Sequence, residues 1–283
     1  MSQETTALQL RLLGKPQIHL DGETVSGFRT AKAEALLYYL AVTGQSYSRE
    51  VLADLLWGEM PEATAKRNLT KALSHLRKQV APFLLIEPDT VGLDPAVEVW
   101  LDVTAFETAV VQGLAEDNIA LLTQAVALYQ GDLLAGFYIK QALTFEEWLL
   151  GERERLRELM LPALQRLISQ AIKQGEPTTG LEYAHRLLAL EPWHETAHRH
   201  LMLLLARNGR REAALAQYDI CRQILAEELG IEPMAETTAL YERLKAVGRS
   251  PAHTLPPPPP TPLLAVKWSY SRLKAIWPTP LAA

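Results

Sequence analysis

A chain of 283 residues with 48% hydrophobic and 22% charged residues can bury two cores of ordinary size, which excludes a wholly disordered polymer. Its net charge of −5 excludes a histone-like cationic coat, although screening over roughly 8 Å leaves room for a local basic patch. A single cysteine, Cys221, excludes an intramolecular disulfide, and no apolar run nears the roughly 20 residues needed to cross a bilayer. With an N-terminus "MSQETTALQL" that lacks the basic start and apolar run of a signal peptide, these features predict a cytoplasmic protein with no membrane partner.

Residues 8–25 alternate apolar and polar around Gly14-Lys15 and Asp21-Gly22, which predicts a short antiparallel hairpin or sheet. The period then lengthens. Ala33, Leu36, Leu37, Leu40 and Ala41 follow helical spacing, and Ser48 is placed to cap a second helix carrying Val51, Leu52, Leu55 and Leu56. "WGEMP" ends that helix, and Pro61 is placed to open a third over residues 62–80. Two short β-like runs follow around Pro88-Asp89 and Gly92. Strands, three helices and a hairpin make the order of a winged helix-turn-helix.

The third helix, "EATAKRNLTKALSHLRKQV", gathers Ala65, Leu69, Ala72, Leu73, Leu76 and Val80 on one side at about 100° per residue. Arg67, Thr70, Lys71, Ser74 and Lys78 occupy the opposite side, with Lys66, His75 and Arg77 on its flanks. A solvated face ordinarily mixes signs so that i,i+4 pairs support the helix, whereas this face carries no acid. Cations interleaved with hydroxyls suit a polyanion, with Arg and Lys for phosphates and base edges. A solvated cationic face without a ligand is the plainer alternative. Position as the third helix, where a helix-turn-helix presents its reader to the major groove, favours DNA.

From about Asp102 onward the pattern is helical, over 103–113, 117–130, 144–174, 178–190, 194–208, 210–229 and 236–247. "KQGEPTTGLEYAHRLL" resembles "RNGRREAALAQYDICR" at an offset of 34, with Gly175 on Gly209 and Gly180 on Ala214; this is the tetratricopeptide period. "LEP" at 190–192 recurs as "IEP" at 231–233. Pro162 predicts an interruption of the longest helix. "GERERLRE" at 151–158 reads as an ordinary solvated helix face, and Trp57, Trp100 and Trp148 read as core or interface anchors. Beyond Ser250, "PAHTLPPPPPTPLL" is a proline-rich linker followed by a basic, aromatic end. The fold class expected is mainly α: an N-terminal α+β winged helix-turn-helix over 1–103, an all-α tetratricopeptide-like domain over 104–248, and a Pro-rich linker with a disordered or truncated tail over 249–283.

"FRTAKAEALLYYLAV", "LADLLWGEMPEATAKRNLTKALSHLRKQV", "LYQGDLLAGF", "EEWLLGERERLREL" and "GRREAALAQYDICRQILAEELGIEPMAETTALYERL" together resemble the antibiotic-regulatory-protein class of bacterial activators. Members of that class join an OmpR-like winged helix to a tetratricopeptide-like bacterial transcriptional activation domain. The resemblance, over about 7–247, implies a regulator that binds double-stranded DNA at direct repeats near promoters, with a dimer on DNA as one form. It also implies contact with RNA polymerase or another protein through the helical domain. By the same resemblance Arg67, Thr70, Lys71 and Ser74 face bases, while Arg29, Lys32, Lys66, Arg77 and Lys78 lie at or near phosphates. Where the class carries a Gly-Tyr-basic-Leu wing turn, this chain has "TVGLD", without a cation.

No "GxxxxGK[ST]" or "GxGxxG" occurs, and no catalytic constellation, so neither enzymatic activity nor a cofactor is expected. "HETAH" at 194–198 matches a zinc-protease pattern but lacks a third ligand; His194 and His198 share the stripe of Leu201 and Leu205, which favours packing over metal. The alternative function is a tetratricopeptide adaptor whose winged helix does not bind DNA.

Overall fold

The computed structural model describes residues 7–25 and 27–247. The linker and tail expected over 249–283 therefore lie outside the described residues. Packing divides the chain into two compact units, between Met160 and Leu161.

The first unit opens on β1 (Leu8–Arg11), β2 (Gln17–Leu20) and β3 (Glu23–Thr24). β1 and β2 pair antiparallel with Leu10 opposite Ile18, so the alternating pattern puts Leu8, Leu10 and Ile18 into the core. α1 (Ala31–Thr43) starts where the Thr30 hydroxyl accepts the Ala33 N–H at 3.3 Å. Ala33, Leu36, Leu37, Leu40 and both tyrosines at 38 and 39 are buried, which makes α1 the centre of the unit. The two-residue β4 (Tyr47–Ser48) leads into α2 (Arg49–Trp57), capped by Ser48 as its position predicts. α3 (Glu62–Val80) follows after a turn closed by Gly58 N–H to Asp54 O and Met60 N–H to Trp57 O. Pro61 sits one residue ahead of the helix rather than inside it, and its carbonyl accepts the Thr64 and Ala65 N–H groups.

β5 (Leu84–Ile86) and β6 (Thr90–Leu93) form the expected hairpin, extended by β4 into a three-stranded sheet. Gly92 is fixed by a close approach: a Cβ there would lie 2.2 Å from the Ser46 hydroxyl and 3.1 Å from Ser46 Cα. Gly92→Ala is expected to lower stability by about 1–3 kcal/mol, read as a shifted urea midpoint. A midpoint within error of the parent's would mean that the 44–48 segment yields freely.

β7 (Val99–Leu101) departs from the local reading. It leaves the hairpin and joins the N-terminal sheet parallel to β1, at the end of the order β3-β2-β1-β7. Trp100 consequently points to the outer face of an edge strand and is exposed, with the Arg11 guanidinium 6.0 Å from its ring. By contrast Trp57 is buried and Trp148 packs on Tyr39 and Phe145.

β7 runs directly into α4 (Asp102–Ala115), which packs on α5 (Ile119–Leu128). The Asp102 carboxylate, buried at the first turn of α4, accepts the Leu12 and Leu13 N–H groups at 2.8 and 2.9 Å. Residues 132–135 add to the same place: Leu134 N–H reaches Leu12 O, Ala135 N–H reaches Gly14 O, and Gly14 N–H reaches Asp132 O. These bonds tie residues 132–135 to the N-terminal sheet within the first unit. The connection from 129 to 142 is part of the N-terminal sheet's support.

α6 (Leu143–Gln174) runs through Pro162 without a break, contrary to the expected interruption. Proline removes one helical hydrogen bond, and buried Met160, Ala163, Leu164 and Leu167 on either side keep the helix packed. The "GERERLRE" face is also more than solvated. Arg153 donates to the Leu133 and Leu134 carbonyls at 2.8 and 2.9 Å, Arg157 pairs with Asp132, and Arg155 bridges Glu152 and Glu107. Isolated i,i+3 spacing shows only Glu152 and Glu154 as partners; the distant ones belong to the fold.

The second unit contains the C-terminal part of α6 with α7 (Pro177–Leu190), α8 (Glu195–Arg207), α9 (Arg211–Glu228) and α10 (Ala235–Val247). Gly175 and Gly209, 34 residues apart, have φ of 74° and 73°, so the repeat read from the sequence recurs in the backbone at both helix ends. The structure is mainly α with its strands in the N-terminal third, as the sequence predicts.

Candidate nucleic-acid interface

α3 turns Leu69, Leu73 and Leu76 inward, which leaves Arg67, Thr70, Lys71, Ser74, Arg77 and Lys78 exposed along its outer side. The loop before α1 is tied to this helix. Arg29 N–H donates to His75 Nε2 at 3.0 Å, and the Phe28 and His75 rings meet edge to face at 6.1 Å. Because Nε2 accepts, the neutral ring carries its proton on Nδ1. This junction forms a concavity of about 830 Å³ lined by Arg29, Thr30, Lys32, Trp57, Asn68, Thr70, Lys71, Ala72, Ser74, His75 and Lys78.

Six of the nine residues singled out from sequence line that surface: Arg29, Lys32, Thr70, Lys71, Ser74 and Lys78. Arg67 and Arg77 lie exposed on α3 outside it, and so does half-buried Lys66. Among the described residues, Arg67, Lys71, Arg77 and Lys78 make no ion pair. Thr70 donates its hydroxyl to Lys66 O at 2.9 Å and keeps its acceptor sites open.

Lys32 and Lys66 differ from the rest. The Lys32 ammonium donates to Leu56 O at 2.5 Å and Gln141 O at 2.8 Å, and lies 5.5 Å from the Trp57 ring centroid. Burial lowers its pKa, with Glu59 opposing. Lys66 pairs with Glu62 at 2.7 Å and Glu50 at 3.5 Å; the Glu62 bond lowers the carboxyl pKa and raises that of Lys66. Thr30, Trp57, Asn68, Ala72 and His75 complete the surface. None of them was singled out as a DNA contact, because what brings Thr30 and Trp57 to α3 is the packing of helices remote in sequence.

The wing carries the opposite sign. Glu87 and Asp89 stand at its turn, where Glu87 N–H bonds Thr90 O and the Thr90 hydroxyl bonds the Glu87 carboxylate. Arg49 donates its N–H groups to the Asp89 and Glu87 carbonyls, both at 3.0 Å.

The remaining chemical patterns resolve into structure. His194 caps α8, accepting Ala197 N–H on Nδ1, and its Nε2 lies 2.6 Å from the Gln165 amide. His198, buried, donates to Pro192 O at 2.8 Å and meets Gln217 through Nδ1. Glu195 accepts Met234 N–H and the Thr237 hydroxyl at 2.7 and 2.5 Å. His194, Glu195 and His198 thus have helix-capping and packing roles, and no cluster of three or more metal-ligating residues occurs among the described residues. Burial pushes the Cys221 thiol up to about 12, which leaves almost no thiolate at neutral pH. Among the described residues no helix is long and apolar enough to cross a membrane.

Residues 101–245 match the family model of the bacterial transcriptional activator domain. The chain belongs to this family. Its relatives include the regulatory protein AfsR of Streptomyces coelicolor, 30% identical over 86% of this chain and 24% of AfsR. The regulatory protein DnrI of Streptomyces peucetius is 26% identical over 84% of this chain and 92% of its own. The transcriptional regulatory protein MoaR1 of Mycobacterium tuberculosis is 25% identical, with 84% and 79% covered. The chain thus spans about a quarter of the AfsR relatives and most of DnrI and MoaR1. In fold, this activator-domain protein matches Mycobacterium tuberculosis EmbR, solved in complex with a low-affinity phosphopeptide, with TM-score 0.64 at 22% identity over 88% of this chain and 67% of EmbR. The winged-helix and helical architecture read from the sequence accords with that likeness.

Proposed function

We propose that the chain is a sequence-specific DNA-binding transcriptional regulator that acts as an activator. The observation that carries this reading is the row of unpaired cations on α3, beside a concavity that also holds Arg29. Arg67, Thr70, Lys71 and Ser74 read base edges in the major groove. Arg29, Arg77 and Lys78 hold phosphates and set the register. Lys32 and Lys66 already have internal partners, so they contribute least to phosphate binding. The winged helix forms the domain 1–103, 104–248 the activation domain that meets RNA polymerase or another protein, and two copies occupy direct repeats. The family membership and the regulators among its relatives support transcription as the setting.

Selection of bound sequences from a random duplex library with the full chain tests the reading. A repeated motif is the expected result, with affinity falling steeply as salt rises. Recovery of unselected sequence favours the second reading, a protein adaptor with a winged helix that does not bind DNA. The acidic wing turn at Glu87 and Asp89 is the observation in its favour, since it repels a phosphate backbone.

A further inference from the structure

We propose that the turns at one end of the second unit form a docking surface for a cationic amphipathic helix of a partner protein. This rests on the proposed role of the helical unit as a protein-contact module and names the chemistry of its partner. Glu195 at the start of α8 accepts Met234 N–H at 2.7 Å, so the 229–234 turn lies against the helix that begins two residues after Trp193. Trp193 and Met234 follow "LEP" and "IEP" at equivalent places in successive hairpins. Both are exposed, at 41% and 58%, as are Leu229 at 50% and Ile231 at 47%. Four large apolar side chains thus stand exposed on two turns that the Glu195–Met234 bond joins, and a grouping of that kind suits a protein–protein contact.

The charge around the patch selects the partner's sign. Residues 227–236, "EELGIEPMAE", hold Glu227, Glu228, Glu232 and Glu236 and no cation. The Arg199 guanidinium, on α8, is engaged by Thr196 and Thr237. An apolar strip bordered by carboxylates fits a helix with a leucine-rich face flanked by lysine or arginine, which gains both burial and pairing.

The test measures anisotropy of a labelled leucine–lysine amphipathic peptide of about 18 residues, five helical turns, against the full chain. A leucine–glutamate peptide of the same length is the control. Joint replacement Ile231→Ser and Met234→Ser is expected to weaken binding at least about tenfold. Joint Glu228→Gln, Glu232→Gln and Glu236→Gln is expected to weaken it and flatten its salt dependence. Leu150→Ser, an exposed leucine of the first unit, is expected to leave it within twofold. Melting curves and operator binding of each variant separate failure of this surface from misfolding and from failure of the DNA reading. Unchanged affinity in the serine pair, or equal binding of the glutamate peptide, overturns the proposal. Binding that emerges only on truncation after Ser250 also overturns it, by identifying the chain's own basic end as the occupant. Concentration-dependent self-association lost in the serine pair overturns it in favour of a second copy.

Discussion

Arg67→Ala and Lys71→Ala are each expected to weaken binding to the selected operator by about 1–3 kcal/mol, a loss of roughly 5- to 150-fold. Both side chains project from the outer side of α3 and have no ion-pair partner among the described residues, so truncation breaks no ion pair of the fold, and the expected loss is that of the proposed DNA contacts. Loss of a base contact also relaxes selectivity at one position. Lys78→Ala is expected to behave differently. As a phosphate contact it weakens all sequences alike and reduces the salt slope by about one unit. Lys66→Ala is the internal comparison: its ammonium is held by Glu62 and Glu50, so the operator affinity changes least. Titrations of the four variants against operator and scrambled duplex at several salt concentrations separate these outcomes. If all four bind as the parent does, α3 is not at the interface.

The largest effect on stability is expected at Asp102. Asp102→Ala leaves the Leu12 and Leu13 N–H groups without their acceptor in a buried place, at a cost of about 2–5 kcal/mol. The pH dependence has an unusual sign. Burial raises the Asp102 pKa above the ordinary aspartate value, against the lowering effect of the backbone N–H donors and Arg11. A raised folded-state pKa means that this group's contribution is fully present below the unfolded value and is lost as pH rises through the folded one. Ionisation of Asp102 therefore disfavours the fold, while its hydrogen bonds favour it. Urea unfolding of parent and Asp102→Ala across the range from pH 3 to pH 7 reads both effects. The gap between the two is expected to narrow as pH rises through the raised value. A difference below about 1 kcal/mol throughout would mean that water replaces the carboxylate and the 12–13 junction is not tightly built.

Much of the fold was legible because it rests on local periodicity. The alternation of Leu8, Leu10 and Ile18, the stripe of Leu69, Leu73 and Leu76, and the 34-residue offset between Gly175 and Gly209 each reappear in the structure. What escaped depends on distant pairing. Nothing near Val99 says that the strand will lie parallel to Leu8–Arg11, and nothing near Arg153 or Arg157 says that their partners are Leu133 and Asp132. The candidate site divides the same way. Helical spacing alone placed Thr70, Lys71, Ser74 and Lys78 on one face. That Lys32 is bound to Leu56 and Gln141, and that His75 fixes Arg29 beside α3, follows only from the packing of helices remote in sequence.

Photocrosslinking of the full chain to its selected duplex, with bromodeoxyuridine at thymines facing the major groove, tests the central claim most directly. The account predicts crosslinked peptides within residues 67–78, lost at the matching position on Lys71→Ala. Crosslinks confined to the 84–94 hairpin, or to residues beyond 160, would contradict it.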